Sequence, residues 1–231
     1  MLSRVGLPRR RVVLATALTL VATLVAVGVV AARASANLSK CERFAASSAA
    51  RAKQVTGSGA RVVVIGDSWS AGLGLDHPER SWPSRLPGRV HVAGFSGSGF
   101  SAGASPCGRV SFSDRAPAAL KGGADLVVIE GGLNDYDESR AAIKAGFARV
   151  VRTASPYRVV VVGPAPAPAR ARAVPRVDRL LRFLSTVYGV AYVSTADLDL
   201  PYLRDRLHLT PAGHREFGDI VADRIAALNL S

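Results

Sequence analysis

Cysteine and histidine are scarce in this sequence, with two of the first and four of the second among 231 residues. Two cysteines are too few for a disulfide-dense scaffold, and the 22 glycines and 13 prolines follow neither a collagen period nor a low-complexity pattern. The cysteines and histidines also lack the spacing of a metal site, so we expect no metal and no other cofactor. What remains is the composition of a globular domain, in which 48% of the residues are hydrophobic.

Acidic residues are also few, with 17 Asp and Glu against 30 Lys and Arg, which gives a formal net charge of +13. Such an excess is found in proteins that bind nucleic acid or an anionic surface. The arginines are scattered, however, with one local concentration between Arg170 and Arg182, and basic residues do not alternate with aromatic ones. Nucleic acid is therefore not an expected partner, whereas a general affinity for an anionic wall or membrane stays open.

Charged residues of either sign are absent from positions 12–32, which follow four arginines near the N-terminus. The length of this apolar run fits a membrane anchor, whereas the small residues at 34–36 fit a signal-peptidase site, and both interpretations stay open. In either case the positive charge before the run directs the remainder of the chain across the membrane. We therefore expect a signal peptide or anchor (1–36), a connector (37–60) and an exported domain (61–231) that is secreted or tethered to the membrane.

Cys41 and Cys107 are predicted to form a disulfide, because export places both residues in an oxidising environment. In the chain-entropy description of disulfides, such a bond would stabilise the domain by about 4 kcal/mol. Neither cysteine has a base nearby in the sequence, so a catalytic role is not expected for either.

Short apolar runs rich in β-branched residues alternate with longer helical patterns in the exported domain. Nearly continuous apolar runs fit strands that are covered on both faces, as in a parallel sheet. The alternation predicts an α/β sandwich with a five-stranded parallel sheet in a flavodoxin-like order. The predicted strands are 61–65, 89–93, 125–130, 158–162 and 190–193. The predicted helices are 79–86, 138–154, 174–188 and 211–228.

Small and polar residues follow the first three predicted strands, where sheets of this kind place their functional sites. A Gly-Asp-Ser triplet occupies 66–68, a glycine-rich and serine-rich loop occupies 94–99, and Gly-Leu-Asn-Asp occupies 132–135. A fourth segment, Asp-Arg-Leu-His at 205–208, precedes the last predicted helix. Because parallel strands end at one edge of a sheet, we expect these segments to meet there.

Ser68, His208 and Asp205 are the predicted catalytic residues. A serine hydroxyl is a weak nucleophile until a base takes its proton, and histidine is the side chain best suited to do so near neutral pH. Asp205 is close enough to hold the His208 imidazole in one tautomer and to stabilise its cation. The Ser68 and Gly97 backbone N–H groups and the Asn134 side-chain amide can donate to an oxyanion.

These four segments, in this order, resemble the SGNH (GDSL-type) hydrolases over residues 61–228. The resemblance implies a three-layer α/β/α sandwich and a metal-free Ser-His-Asp hydrolytic mechanism, with Ser68, Gly97 and Asn134 as oxyanion donors. It also implies acyl ester or thioester substrates, including lipids, acetylated sugars and simple esters. Gly94 and Gly99 are alternatives to Gly97, which gives the best match because it follows Ser96.

We therefore expect a monomeric, exported serine esterase that hydrolyses esters of small molecules, lipids or acetylated sugars. An O-acetyl-polysaccharide esterase or O-acetyltransferase acting on cell-wall sugars is an alternative, because the sequence does not show whether the site excludes water. A non-catalytic polysaccharide-binding or lipid-binding module is the alternative of another class, and the complete catalytic set argues against it. Ser101, in a G-x-S-x-G pattern, is not expected to be the nucleophile because no strand precedes it and no helix follows.

Overall fold

The structure is a computed structural model that describes the chain from residue 9 to residue 229, without the side chains of 9–17, 31–32 and 34–38. Residue contacts divide the chain into two units, Met1–Glu42 and Arg43–Ser231. The second unit contains the whole parallel sheet and all four segments predicted to form the site.

The first helix, α1, runs over Arg9–Ala52 and therefore includes much of the region predicted as a connector. Its large apolar side chains between Leu18 and Val30 are exposed. Within the part of the chain that the structure describes, no helix combines the length and the hydropathy that a membrane crossing requires. Residues 1–8 and several side chains within 12–32 lie outside the described residues, so the choice between signal peptide and anchor stays a prediction.

Five parallel strands form the sheet, in the order β2-β1-β3-β4-β5. This is the flavodoxin-like order expected from the sequence, and each predicted strand is confirmed to within one residue at either end. The strands are β1 (Arg61–Gly66), β2 (Arg89–Gly94), β3 (Leu126–Glu130), β4 (Arg158–Val162) and β5 (Ala191–Val193).

Helices connect these strands and cover the sheet. Three of the predicted helices, at 138–154, 174–188 and 211–228, are confirmed with shifts of no more than two residues at an end. The helices after α1 are α2 (Ser68–Ala71), α3 (Phe112–Ala119), α4 (Arg140–Ala154), α5 (Val174–Tyr188) and α6 (Pro211–Ala226).

The helix predicted at 79–86 is wrong. Two short 3-10 helices, Pro78–Arg80 and Trp82–Arg85, occupy this region. They are separated by Ser81, whose backbone is extended with ψ of 163°. Pro83 has no backbone N–H with which to continue a helix from the preceding turn. The Ser81 hydroxyl donates to Ser70 O at 3.0 Å, which holds the segment against α2.

Helix α3 was not predicted from the sequence, because Pro117 lies within it and proline disfavours a helix interior. The local signal for this helix is its capping box. Ser111 accepts from the backbone of Asp114, and the Asp114 carboxylate accepts from the Ser111 N–H at 3.1 Å. A short helix with a satisfied first turn therefore forms in a region that lacks a long apolar period.

Side chains along β1 alternate between the two faces of the sheet. Val62 and Val64 belong to a hydrophobic cluster that includes buried residues of α6, whereas Val63 and Ile65 belong to a second cluster with residues of α3, α4 and α5. All four side chains are at most 3% exposed. Helices thus cover both faces of the sheet, which is the expected three-layer α/β/α sandwich.

Both cysteines are oxidised. Cys41 and Cys107 are disulfide-bonded, and no free cysteine is present among the described residues. A disulfide, as predicted from the oxidising environment of an exported protein, is therefore present.

Candidate active site

The strands β1, β2 and β3 are neighbours in the sheet and end at the same level. Gly66 at the end of β1 is paired with Gly94 at the end of β2, and Ile65 is paired with Ile129 near the end of β3. The three segments that follow these strands therefore emerge side by side at one edge, as the sequence predicted.

Ser68 is the first residue of the short helix α2, directly after β1. The preceding residue, Asp67, caps this helix by accepting a hydrogen bond from the Trp69 N–H at 2.9 Å. A side chain at Gly66 would overlap the Ser70 hydroxyl, so only glycine fits the turn from strand to helix. Ser68 is 6% exposed, so the residue is nearly buried.

His208 contacts the Ser68 hydroxyl, with 3.1 Å between His208 Nε2 and Ser68 Oγ. The other ring nitrogen, Nδ1, lies 2.6 Å from Asp205 Oδ2. A carboxylate only accepts hydrogen bonds, so Nδ1 carries the proton and Nε2 is left to accept from the serine. The three predicted catalytic residues thus form one continuous hydrogen-bonded chain.

The Asp205 carboxylate is held by the residues that follow it. Its Oδ1 accepts from the backbone N–H groups of Leu207 and His208, each at 3.0 Å, which leaves Oδ2 for the imidazole. Partial burial raises the pKa of Asp205, but the hydrogen bonds from His208 and from these N–H groups outweigh it, and the pKa lies below its usual value. The carboxylate is therefore ionised, as a partner for an imidazolium requires.

Backbone carbonyl groups of the segment that carries His208 accept hydrogen bonds from neighbouring parts of the domain. The Leu203 N–H donates to His208 O at 2.7 Å, closing a tight loop around residues 204–207. The indole N–H of Trp69 donates to Leu207 O at 3.1 Å. Because Trp69 is the residue after Ser68, this bond ties the histidine segment directly to the serine helix.

The three predicted oxyanion donors lie in the segments after β1, β2 and β3. Neither the Ser68 N–H nor the Gly97 N–H has a hydrogen-bond partner among the described residues. Gly97 has φ of 81°, in the left-handed region that favours glycine. Asn134 is 8% exposed, and its Nδ2 donates to Ser98 O at 2.8 Å and to Asp67 Oδ2 at 3.2 Å.

The two alternative glycines have structural reasons to be glycine. A Cβ on Gly94, which belongs to β2, would lie 2.6 Å from the Ala71 nitrogen. A Cβ on Gly99 would lie 2.5 Å from the Asp135 carboxylate. That carboxylate accepts from the backbone N–H groups of Phe100 and Ser101, and burial raises its pKa to about 7. Gly97 therefore stays the preferred candidate for the backbone donor after β2.

Ser101 has a local structural role. Its hydroxyl donates to Glu138 Oε2 at 2.7 Å and accepts from the Gly103 N–H at 3.0 Å, so it caps a 3-10 helix at 102–104. Among the described residues, no histidine contacts it. The G-x-S-x-G pattern is thus a loop, in agreement with the absence of a strand before it.

A buried charged cluster lies directly beneath the serine turn and was not predicted from the sequence. Glu130, at the end of β3, is 2% exposed and accepts from the Ser70 hydroxyl at 2.7 Å. Arg115 donates to Gly66 O at 2.9 Å and also to Ala93 O. The one sequence signal that could have indicated this cluster is Glu130, a single acidic residue at the end of an apolar strand.

Burial controls the protonation of the two acids near this turn. Burial raises the pKa of Asp67 to about 6, even though the Trp69 N–H and the charges of His208, Arg170 and Arg115 lower it. Burial and the neighbouring Asp67 charge raise the pKa of Glu130 well above its usual value. At neutral pH we therefore expect Asp67 to be largely ionised, whereas the surroundings of Glu130 favour its protonated form.

Replacing Glu130 by glutamine should make the stability of the protein less sensitive to a rise in pH above 4.5. The raised pKa means that the stability contributed by Glu130 is fully present below its unfolded value of 4.5 and is lost as the pH rises through the folded value. Glutamine stays neutral, so Glu130→Gln should be spared a loss of about 1.4 kcal/mol for each pH unit between the unfolded and the folded pKa of Glu130. The free energy of unfolding in urea at pH 5, 7 and 9 measures this difference.

The matched control for this experiment is Glu216→Gln, because Glu216 is exposed on α6. The free energy of unfolding of the Glu216→Gln variant should equal that of the wild type at each pH. Parallel curves for Glu130→Gln and the wild type would show that Glu130 is not held protonated by the fold.

A family comparison covers most of the domain. The model of the GDSL-like lipase/acylhydrolase family matches residues 64–216, which include Ser68, Gly97, Asn134, Asp205 and His208. A comparison with curated protein sequences finds no significant match.

Solved structures of esterases share the fold. Est24, a carbohydrate acetylesterase from Sinorhizobium meliloti, has a TM-score of 0.60 at 23% identity, over 74% of this chain and 100% of that one. The inhibitor-bound aryl esterase of M. smegmatis has a TM-score of 0.63 at 18% identity, over 74% and 100% of the two chains. The esterase EstA from Pseudoalteromonas sp. has a TM-score of 0.61 at 18% identity, over 74% of this chain and 98% of that one. At these identities the likeness concerns the fold.

Proposed function

The chain belongs to the GDSL-like lipase/acylhydrolase family and is a carboxylic ester hydrolase, and we propose that Ser68, His208 and Asp205 carry its reaction. The observation that supports this proposal most directly is the hydrogen-bonded chain from Ser68 Oγ through the imidazole to the Asp205 carboxylate, at 3.1 and 2.6 Å. A non-catalytic binding module has no need of these two hydrogen bonds, because they activate a hydroxyl for reaction and are not required to hold a ligand.

The first step of the proposed mechanism transfers the acyl group to the enzyme. Ser68 Oγ attacks the carbonyl carbon of the ester while His208 Nε2 takes the hydroxyl proton. The carbonyl π bond opens to give a tetrahedral oxyanion. When this intermediate collapses, the bond to the alcohol oxygen breaks and His208 returns the proton to the leaving alcohol. The product is an ester between the acyl group and Ser68.

The second step releases the acid. Water attacks the carbonyl carbon of the acyl-enzyme while His208 takes one of its protons. Collapse of the second oxyanion breaks the bond between this carbon and Ser68 Oγ, which takes the proton back from His208 as the acid leaves. Asp205 stays ionised through both steps and stabilises the imidazolium each time it forms. The lowered pKa of Asp205 supports this role.

The oxyanion would be held by the Ser68 and Gly97 N–H groups and by Asn134 Nδ2. Within the described part of the chain, the two backbone donors have no partners to give up. Asn134 must redirect one of its two N–H bonds, and the weaker of these is the 3.2 Å contact with Asp67 Oδ2. The loss of one donor of this kind typically lowers turnover by about 10²–10³-fold.

We propose that the acyl group is short. Ser68 and Asn134 are only 6% and 8% exposed, so little room surrounds the carbonyl without movement of the neighbouring loops. Among the proteins of the same fold, Est24 is named a carbohydrate acetylesterase, and acetyl is the shortest common acyl group. Acetylated sugars are therefore the substrate class that we favour over lipids.

The purified protein should hydrolyse p-nitrophenyl acetate with a kcat/KM about 10-fold or more above that for p-nitrophenyl octanoate. The two esters have the same leaving group, so their ratio reports acyl size alone. The butyrate ester should fall between them. A fluorophosphonate probe should label the protein in parallel, and a folded protein that neither reacts with the probe nor turns over any of the esters would favour a binding module.

We also propose that the enzyme acts outside the cytoplasm. The disulfide involving Cys41 and Cys107 supports this location, because such bonds persist in oxidising compartments. The charge pattern before and after residues 12–32 agrees with export of the remainder of the chain.

A further inference from the structure

Arg170, in the loop between β4 and α5, contacts the side chain of Asn134. Its Nη1 donates to Asn134 Oδ1 at 2.6 Å and to Leu133 O at 2.9 Å. The guanidinium also lies over the Tyr136 ring, with 4.5 Å between its Cζ and the ring centroid. These contacts hold the half-buried guanidinium against the segment that carries the proposed oxyanion amide.

The contacts around Asn134 allow its carboxamide only one orientation. Arginine has no hydrogen-bond acceptor, so the amide atom that faces Arg170 must be the oxygen. Ser98 O and the ionised Asp67 carboxylate accept but do not donate, so the atom that faces them must be the nitrogen. A flipped amide would place its NH₂ against the guanidinium and its oxygen against two acceptors, which is unfavourable on both sides.

The loop that carries Arg170 is itself held by the histidine segment. The Ala169 N–H donates to Arg206 O at 2.9 Å, and Arg206 lies between Asp205 and His208. The Arg170 N–H donates to Ala167 O at 2.8 Å, which forms a turn within the loop. The position of the Arg170 guanidinium is therefore fixed by the backbone hydrogen bonds of its loop as well as by its contact with Asn134.

We propose that Arg170 is a positioning residue of the esterase: it orients the Asn134 amide so that Nδ2 is presented to the oxyanion. The proposal rests on the proposed function, in which Asn134 is one of the oxyanion donors. In this role Arg170 does not touch the reacting atoms, and it acts on the reaction through the Asn134 carboxamide.

The positive charge of Arg170 adds to this effect. A hydrogen bond from an ionised donor to the amide oxygen polarises the carboxamide and makes Nδ2 a stronger donor. Because the oxyanion develops in the transition state and not in the bound ester, both effects should be seen in kcat and not in KM. A residue that contacts the substrate throughout would instead change KM.

A double-mutant cycle tests this proposal directly. We would measure kcat and KM for p-nitrophenyl acetate with the wild type, Arg170→Met, Asn134→Ala and the double variant. Arg170→Met should lower kcat by about 10–100-fold in the wild type, with KM nearly unchanged. In the Asn134→Ala background the same substitution should change kcat by less than about 2-fold, because the group through which it acts is gone.

Arg172→Met is the matched control, because Arg172 lies exposed in the same loop. It should retain wild-type kcat and KM. Arg170→Lys keeps the positive charge and one donor nitrogen. It should therefore recover part of the activity that is lost in Arg170→Met. If Arg170→Met fails to fold, as judged by thermal unfolding, Arg170→Lys takes its place in the cycle.

Equal losses of kcat in the two backgrounds would overturn the proposal, since they would show that Arg170 acts independently of Asn134. A higher KM with unchanged kcat would also overturn it, because it would indicate a substrate contact. An inactive wild type would overturn the proposed function, and the role of Arg170 with it. An active wild type with an unaffected Arg170→Met would leave the esterase function standing and reject only the positioning role.

Discussion

Replacing Ser68 by alanine should lower kcat/KM for p-nitrophenyl acetate by about 10⁴–10⁶-fold. The substitution removes the only hydroxyl that contacts the His208 imidazole among the described residues, so no acyl-enzyme can form. The oxyanion donors and the imidazole remain in place, and the small residual rate should come from water activated within the site. Stability should change little, because Ser68 Oγ makes no described hydrogen bond besides the one to His208.

The experiment combines kinetics with labelling by the fluorophosphonate probe. The wild type should carry the label on the peptide that contains Ser68, and Ser68→Ala should carry none. Ser101→Ala is the matched control, because Ser101 is likewise a buried serine whose hydroxyl contacts a polar side chain. Activity that survives Ser68→Ala and disappears in Ser101→Ala would reverse the assignment of the nucleophile.

Replacing His208 by glutamine should cause a loss of similar size, about 10⁴–10⁶-fold in kcat/KM. Glutamine has nearly the length of histidine and can still contact the Ser68 hydroxyl, but its amide cannot take up a proton. The serine then lacks a base, and the leaving alcohol lacks an acid. Labelling of Ser68 should be lost as well, since the probe reacts with an activated hydroxyl.

His77→Gln is the control for the histidine variant, because the His77 side chain is 61% exposed and is paired only with Glu79 among the described residues. It should keep the wild-type rate. The thermal midpoint of His208→Gln should stay close to that of the wild type, which shows that lost activity is not lost folding. A His208→Gln enzyme with a tenth or more of the wild-type activity would not be compatible with His208 as the base.

The placement of the site could be predicted because the sheet imposes it. Strands buried on both faces leave a clear pattern of β-branched residues, and parallel strands end at a common edge. Residues that follow β1, β2 and β3 must therefore converge, whatever the course of the intervening helices. The contact of Ser68 with His208 required one further element, the short segment 205–208, whose position before α6 was visible in the sequence.

The buried cluster beneath the serine turn could not be predicted in the same way. Ser70 and Glu130 are 60 positions apart, and Arg115 is 49 positions from Gly66. No local period or motif relates such partners, and each residue alone is an ordinary serine, acid or arginine. Only the fold brings the donors and acceptors together, so their function in supporting the turn becomes apparent in three dimensions.

The concentration of arginines at 170–182 shows how a charge pattern in sequence differs from a charged surface. Arg170 is engaged with Asn134, and Arg176 donates to the carbonyl oxygens of Asp135, Tyr136 and Glu138. Arg182 is paired with Asp178. Much of this positive charge therefore stabilises neighbouring segments, and the concentration of arginines does not by itself indicate an anionic partner.

Segment 205–208 contains both members of the acid–base pair, Asp205 and His208, and the backbone N–H groups that hold the carboxylate. Asp205 and His208 are joined to each other and to the backbone between them, whereas a single 3.1 Å contact joins the imidazole to Ser68. A shift of this segment relative to α2 would therefore stretch the contact with the nucleophile and leave the imidazole tautomer unchanged. A displacement of about 1 Å between the imidazole and the Ser68 hydroxyl would thus lower the rate of acylation while the base itself stays intact.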